Sequence, residues 1–148
     1  MHYNVERAFN IYILVLGLVP VAYFVLLYYS SIVLKLSLVG ILRQNPLMAV
    51  MLIIVILDLV FAYTLWIKKE VFLRDRKIFQ GLMVYMTVIQ LLVGNLVSFG
   101  LGLINLYSSK ELRIKGNKYF DLKYLPVFIA FFLLYVICLF LLIFLEIK

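Results

Sequence analysis

Histidine and cysteine are almost missing from this chain, which has one of each, His2 and Cys138. A single cysteine closes no internal disulfide and builds no multi-cysteine metal site. A single histidine near the N-terminus supplies neither paired haem ligation nor a His-rich zinc site, and leaves no Ser/His/Asp set. Cys138 stands in a hydrocarbon run without a histidine beside it, which suits an inert buried thiol better than a nucleophile. Acids are scarce as well, seven Asp and Glu against fourteen Lys and Arg. No second acid lies near Asp58 to form an aspartyl dyad. The glycines of 94–102 follow no strand and lack GxGxxG spacing, so close helix packing explains them better than a nucleotide loop. The expectation is a protein that is not an enzyme and holds no cofactor and no metal.

What the chain does have is hydrocarbon. It is 67% hydrophobic over 148 residues, with a mean hydropathy of +1.15. A soluble domain is nearer 45–50% apolar, and a globule this small has too little interior to hide the excess. The apolar residues also come in runs long enough to cross a bilayer. The spacing predicts spans at 11–34, 48–67, 79–106 and 126–145. The fold class expected is therefore an all-α integral membrane protein, a four-helix transmembrane bundle forming one transmembrane domain over 1–148. Glu6 beside Arg7, a long apolar stretch and no small-residue cleavage site make the first run an uncleaved span rather than a signal peptide. Pro20 inside it predicts a kink. Beyond it the helix either runs on to about Leu42 or lies down in the interface.

The net charge of +7 sits between the runs. Basic connections are what membrane proteins use to set orientation and to meet anionic lipid headgroups, so nucleic acid is not the expected partner. The connection 110–123 alternates around Gly116 and Asn117 in a hairpin-like way, through Leu112, Ile114 and Tyr119. A basic, aromatic loop resting on headgroups is the leading reading of it.

Orientation is tied. With four spans, one side carries Arg7, the five Lys and Arg of 68–77, and Lys148. The other carries Lys35, Arg43 and the five of 110–123. With seven cations on each side, the positive-inside rule does not choose an orientation. A second arrangement breaks the third run near 94–102 and turns it back, which places both basic connections on one side. The unbroken span is the leading expectation.

Asp58 sits at the middle of the second run. An acid at a helix centre opposes insertion by about 2.5–3.5 kcal/mol, and twelve Leu, Ile, Val and Phe favour it by roughly 4–7 kcal/mol in sum. The span inserts, and the carboxyl then needs a protein or water partner. Thr87 and Gln90 of the third run match its depth, as do Ser31 and Lys35 of the first. Along the third run Gln80, Thr87, Gly94, Ser98, Gly102 and Asn105 fall on one line at 100° per residue. That stripe of small and polar residues predicts a central, tightly packed third helix. In the fourth run Tyr135 and Cys138 are the interruptions to hydrocarbon, which suggests a peripheral helix.

Two functions remain. The first is a non-catalytic accessory, assembly or regulatory subunit of a membrane complex, or a homo-oligomer, in a cytoplasmic (plasma) membrane. The second is a small oligomeric proton- or cation-coupled transporter or channel that uses Asp58. A transporter would normally show a second acid or paired halves, which favours the first.

Overall fold

The computed structural model describes residues 4–116 and 123–147. Part of the hairpin-like pattern, Asn117 and Tyr119 included, lies outside them, as does His2. The described chain is helical throughout, with no strand among the described residues. Three helices are long and apolar enough to cross a membrane: α1 (Val5–Leu34), α3 (Pro46–Ile67) and α7 (Leu125–Ile147). Between them lie α2 (Leu38–Gln44), α4 (Lys69–Leu73), α5 (Arg76–Leu92) and α6 (Leu96–Ser108), the last followed by a turn of 3₁₀ helix at Ser109–Glu111.

Local chemistry sets most of the helix starts. Asn4, Ser37, Asn45, Asp75 and Asn95 each accept a backbone N–H within the first turn of the helix that follows, satisfying amides that have no intrahelical partner. Pro46 occupies the first position of α3, where its missing N–H costs nothing. α1 continues through Pro20 and ends at Lys35, which adopts the left-handed conformation at φ 52°. The first helix therefore stops there and α2 begins afresh at Leu38, instead of one helix reaching Leu42.

The largest departure from expectation is the third run. It is not one span but a helical hairpin, so four full spans become three long helices and one folded-back pair. Straight, the 28 residues 79–106 would measure about 42 Å, well beyond a hydrocarbon core of about 30 Å. The turn falls on Gly94, whose φ of +77° lies in the left-handed region, and Asn95 then caps α6 through Ser98 N–H. The polar stripe does not point at a neighbour along one long face. It closes on itself: the Gln80 amide donates to Ser109 Oγ at 2.9 Å, and Gly102 packs directly on Thr87. Gly94→Ala is expected to cost about 1–2 kcal/mol through the left-handed backbone alone, because nothing lies within 4 Å of an added Cβ. Asn at this position tolerates the conformation better and should recover a good part of that. Equilibrium unfolding in detergent reads both.

The hairpin puts the charges at one end. The Glu6 carboxylate pairs with the Lys69 ammonium, Phe9 meets Phe79 edge-on at 5.2 Å, and Arg76 N–H donates to Arg113 carbonyl at 3.1 Å. Phe72 packs on Phe128 near the start of α7. The start of α1, the α3–α5 connection, the end of α6 and the start of α7 thus share one end. Among the described residues that end holds ten Lys and Arg, and Lys35 and Arg43 stand at the other.

Asp75 fastens this basic end. Its Oδ1 accepts Lys77 N–H at 2.8 Å and its Oδ2 accepts Lys115 N–H at 3.0 Å. Desolvation pushes its carboxyl up, but backbone N–H groups of Lys77, Lys115, Gly116 and Ile78 outweigh that and hold it below the ordinary carboxylate value. A carboxyl lowered on folding contributes stability that is complete above its unfolded value of about 3.9 and is lost as pH falls through the folded value. The staple is therefore intact at neutral pH. Asp75→Ala should release amide-exchange protection at Lys115 there, while wild-type loses it only as pH falls below the ordinary carboxylate value.

Candidate functional site

Asp58 lies 13 residues into the 22 of α3 and is 1% exposed. It faces inward. The Gln90 amide, brought from α5, donates to its Oδ1 at 2.9 Å, and the Tyr135 hydroxyl, brought from α7, donates to the same oxygen at 2.6 Å. Gln90 is completely buried and Tyr135 is 1% exposed. One carboxyl oxygen thus ties three helices together at the depth where water is scarcest. With few competing partners, such bonds are electrostatically strong, and an orphaned member is correspondingly costly.

Packing aims these side chains. Phe61, about one turn from Asp58, meets Phe131 at 4.5 Å and lies 6.2 Å from the Tyr135 ring. That aromatic contact seats α7 on α3 and turns the Tyr135 hydroxyl toward the acid. Tyr12 of α1 is fully buried and within electrostatic range of Asp58. Ser98 of α6 is also fully buried, and the hairpin register places it near Gln90, since Asn95 N–H donates to the Gln90 carbonyl at 2.9 Å. Among the described residues Tyr12 Oη, Gln90 Oε1 and Ser98 Oγ are buried without a hydrogen-bond partner. Further toward the basic end, the Asn105 amide donates to the Ala8 carbonyl at 3.2 Å, tying α6 to α1.

The depth match of Asp58 with Gln90 is thus realised as a hydrogen bond. Thr87 does not bind Asp58; its hydroxyl donates to the Met83 carbonyl at 2.6 Å while its side chain receives Gly102. Lys35 is not brought to the acid either. It is exposed at the far end of α1, where its own left-handed backbone ends the helix. Ser31 is spent locally, donating to the Leu36 carbonyl at 2.6 Å. Of the packing stripe, Gln80, Ser98, Gly102 and Asn105 line the interior of the hairpin or its contact with α1, and Gly94 is its tip.

Sequence reasoning misses Tyr135 and Tyr12 as neighbours of the acid. A signal for Tyr135 exists: a buried tyrosine hydroxyl needs a partner, and no other group in its run lies at a matching depth. The fourth run is peripheral as its composition suggests, with one inward-facing contribution. α7 is exposed over most of its surface, with only Phe128, Tyr135 and Cys138 buried, yet it contributes a ligand to the central acid. Comparison with family models, with curated proteins and with solved structures finds no match to this chain.

Proposed function

We propose that this protein is a small non-catalytic subunit of the cytoplasmic (plasma) membrane. In this reading it serves as an accessory, assembly or regulatory partner that works through lateral helix contacts. One observation carries this reading. The hairpin is too short to cover α1: α6 has 13 residues, about 20 Å, against 30 residues and about 45 Å for α1. Past the hairpin tip, α1 exposes Val21, Phe24, Val25, Leu26, Tyr28 and Tyr29 over a broad face, while Leu27 on the other side is buried. Its tether there is the Tyr23 hydroxyl donating to the Met48 carbonyl. Half a helix with one broad face left uncovered, beside a core already pinned through Asp58, suits the reception of another helix. The basic end is then cytoplasmic by the positive-inside rule, with the C-terminal end of α7 opposite.

Gentle extraction and native mass measurement test this. The particle is expected to exceed the 17.3 kDa chain by a partner or a second copy. Val25→Glu on the exposed face should return it to a folded monomer. A wild-type particle that is a lone monomer opposes the proposal.

A second reading, a small oligomeric proton- or cation-coupled transporter or channel, is favoured by the buried unpartnered oxygens of Gln90, which binds Asp58, and of its neighbour Tyr12. Buried oxygens of this kind are what an ion or a water relay requires. It predicts pH-dependent flux in liposomes that vanishes in Asp58→Asn; flux that survives removes Asp58 from the mechanism.

A further inference from the structure

α1 is longer than the helices it packs against. The Glu6–Lys69 pair sets its first turn beside the end of α3, yet it has 30 residues against the 22 of α3, a surplus of about 12 Å. The far end shows where that surplus lies. The Tyr23 hydroxyl reaches the carbonyl of Met48, the third residue of α3, and α1 runs on for eleven residues beyond Tyr23. α7 does not follow it. α3 has twelve residues before Asp58 and α7 twelve after Tyr135, so those two helices end level. α2, seven residues and about 10 Å long, brings the chain back to Asn45 and packs on both α1 and α3. The last turns of α1, the turn at Lys35 and α2 thus form an elbow that projects past the other spans.

The elbow is apolar on its outer surface. Ile32, Val33, Leu34, Leu38 and Val39 are each 48–60% exposed. At its base Tyr28 and Tyr29 are exposed as well, about 8 Å before the end of α1. Aromatic rings of this kind belong at the edge of the hydrocarbon, and Tyr63 and Trp66 are exposed in the same way near the basic end. From the tyrosines to its apex the elbow is therefore as tall as one headgroup layer is deep, about 5–8 Å. Lys35 and Arg43 stand on it, both exposed and neither paired with an acid among the described residues. Glu146, near the end of α7, is the one acid at that end among the described residues. Lys35 also holds its left-handed backbone at a position where glycine is usual. A cation kept at a strained apex points to a use for its charge.

We propose that this elbow is a headgroup anchor, seated among the headgroups of the leaflet opposite the basic end and holding anionic phospholipid there through Lys35 and Arg43. A protein is the poorer occupant, since aliphatic side chains between an aromatic belt and snorkelling cations are the pattern of an interfacial segment. The inference is independent of the partner proposed above, which would take α1 within the hydrocarbon.

Tryptophan fluorescence in vesicles tests it. Trp66→Phe removes the one native tryptophan and Val39→Trp places a reporter on the elbow, with Ile32→Trp as the second site if the first variant is unstable. The vesicles are phosphatidylcholine with a minor fraction of brominated phosphatidylglycerol, or the same fraction of brominated phosphatidylcholine. One basic side chain at an anionic surface is worth about fivefold, so quenching should show phosphatidylglycerol enriched at the reporter by at least about fivefold. The double variant Lys35→Asn, Arg43→Gln should abolish the enrichment and leave the reporter quenched by either lipid; asparagine tolerates the left-handed turn. Equal quenching by the two lipids before the cations are removed would overturn the proposal, as would enrichment that survives their removal. A reporter quenched by aqueous iodide and by neither lipid would place the elbow in water, and one shielded from all three would place it under protein; either overturns the proposal.

Discussion

Asp58→Ala will destabilise this protein by about 2–4 kcal/mol, and Asp58→Asn by less than about 1 kcal/mol. The asymmetry follows from which atom the acid uses. Both donors, Gln90 Nε2 and Tyr135 Oη, converge on Oδ1. Alanine leaves both buried without an acceptor, at about 1–3 kcal/mol for each group. The lower half of that range applies, because a chain unfolded within the membrane also finds partners. Asparagine keeps an oxygen where Oδ1 stands, and its amide gains two candidate acceptors in Gln90 Oε1 and Tyr12 Oη, both buried and unpartnered among the described residues. Removing the whole set should undo the damage, because replacing donor and acceptor together by apolar groups is close to neutral. The triple variant Asp58→Leu, Gln90→Leu, Tyr135→Phe is thus expected within about 1 kcal/mol of wild-type, and the single losses will not add. Equilibrium unfolding in mixed detergent measures all of these. If Asp58→Ala were instead stabilising, the carboxyl would be facing acyl chains.

The second large effect is at Gly102. A Cβ built there falls on the Thr87 hydroxyl, with Thr87 Cβ at 3.2 Å and Cγ2 at 3.5 Å. Thr87 cannot rotate away without surrendering its bond to the Met83 carbonyl. Gly102→Ala should therefore cost about 1–3 kcal/mol by overpacking. Gly102→Leu should splay the hairpin outright, carrying Gln90, about one turn from Thr87, off Asp58. Adding Thr87→Ala to Gly102→Ala removes the hydroxyl and Cγ2, leaving the 3.2 Å contact, and is expected to recover most of the loss. Gly100 is the control. It lies in the same helix with nothing within 4 Å of an added Cβ, so Gly100→Ala should be neutral or stabilise by up to about 1 kcal/mol through helix propensity. Thermal unfolding in detergent distinguishes the two glycines directly.

Much of this arrangement can be read from residues alone, and the parts that cannot have identifiable reasons. α1, α3 and α7 are legible because hydrocarbon runs of that length have one stable place. The polar stripe is legible as a face, since its spacing is helical on either side of residues 93–95. Whether the stripe meets a neighbour or itself depends on one backbone conformation at Gly94. Glycine is common in unbroken membrane helices as well, so composition does not decide it. The surplus length of the run and the tie in basic residues are the two pointers to a break, and the hairpin resolves both. Lys35 misleads when depth is reckoned along a continuing helix. Its own left-handed backbone ends that helix. Tyr135 escapes notice because a lone hydroxyl in a run such as LLYVICLF looks like core filling until the acid opposite is placed.

The hairpin delivers Gln90 to Asp58 only if α5 and α6 leave and return at the same end. Single cysteines at Lys77, Lys115 and Arg43, probed in intact cells and in inverted vesicles with a membrane-impermeant maleimide, decide this, with the buried Cys138 as a silent background. Lys77→Cys and Lys115→Cys are expected to label from the same side, and Arg43→Cys from the other. Labelling of Lys77→Cys and Lys115→Cys from opposite sides would restore an unbroken third span and contradict the account.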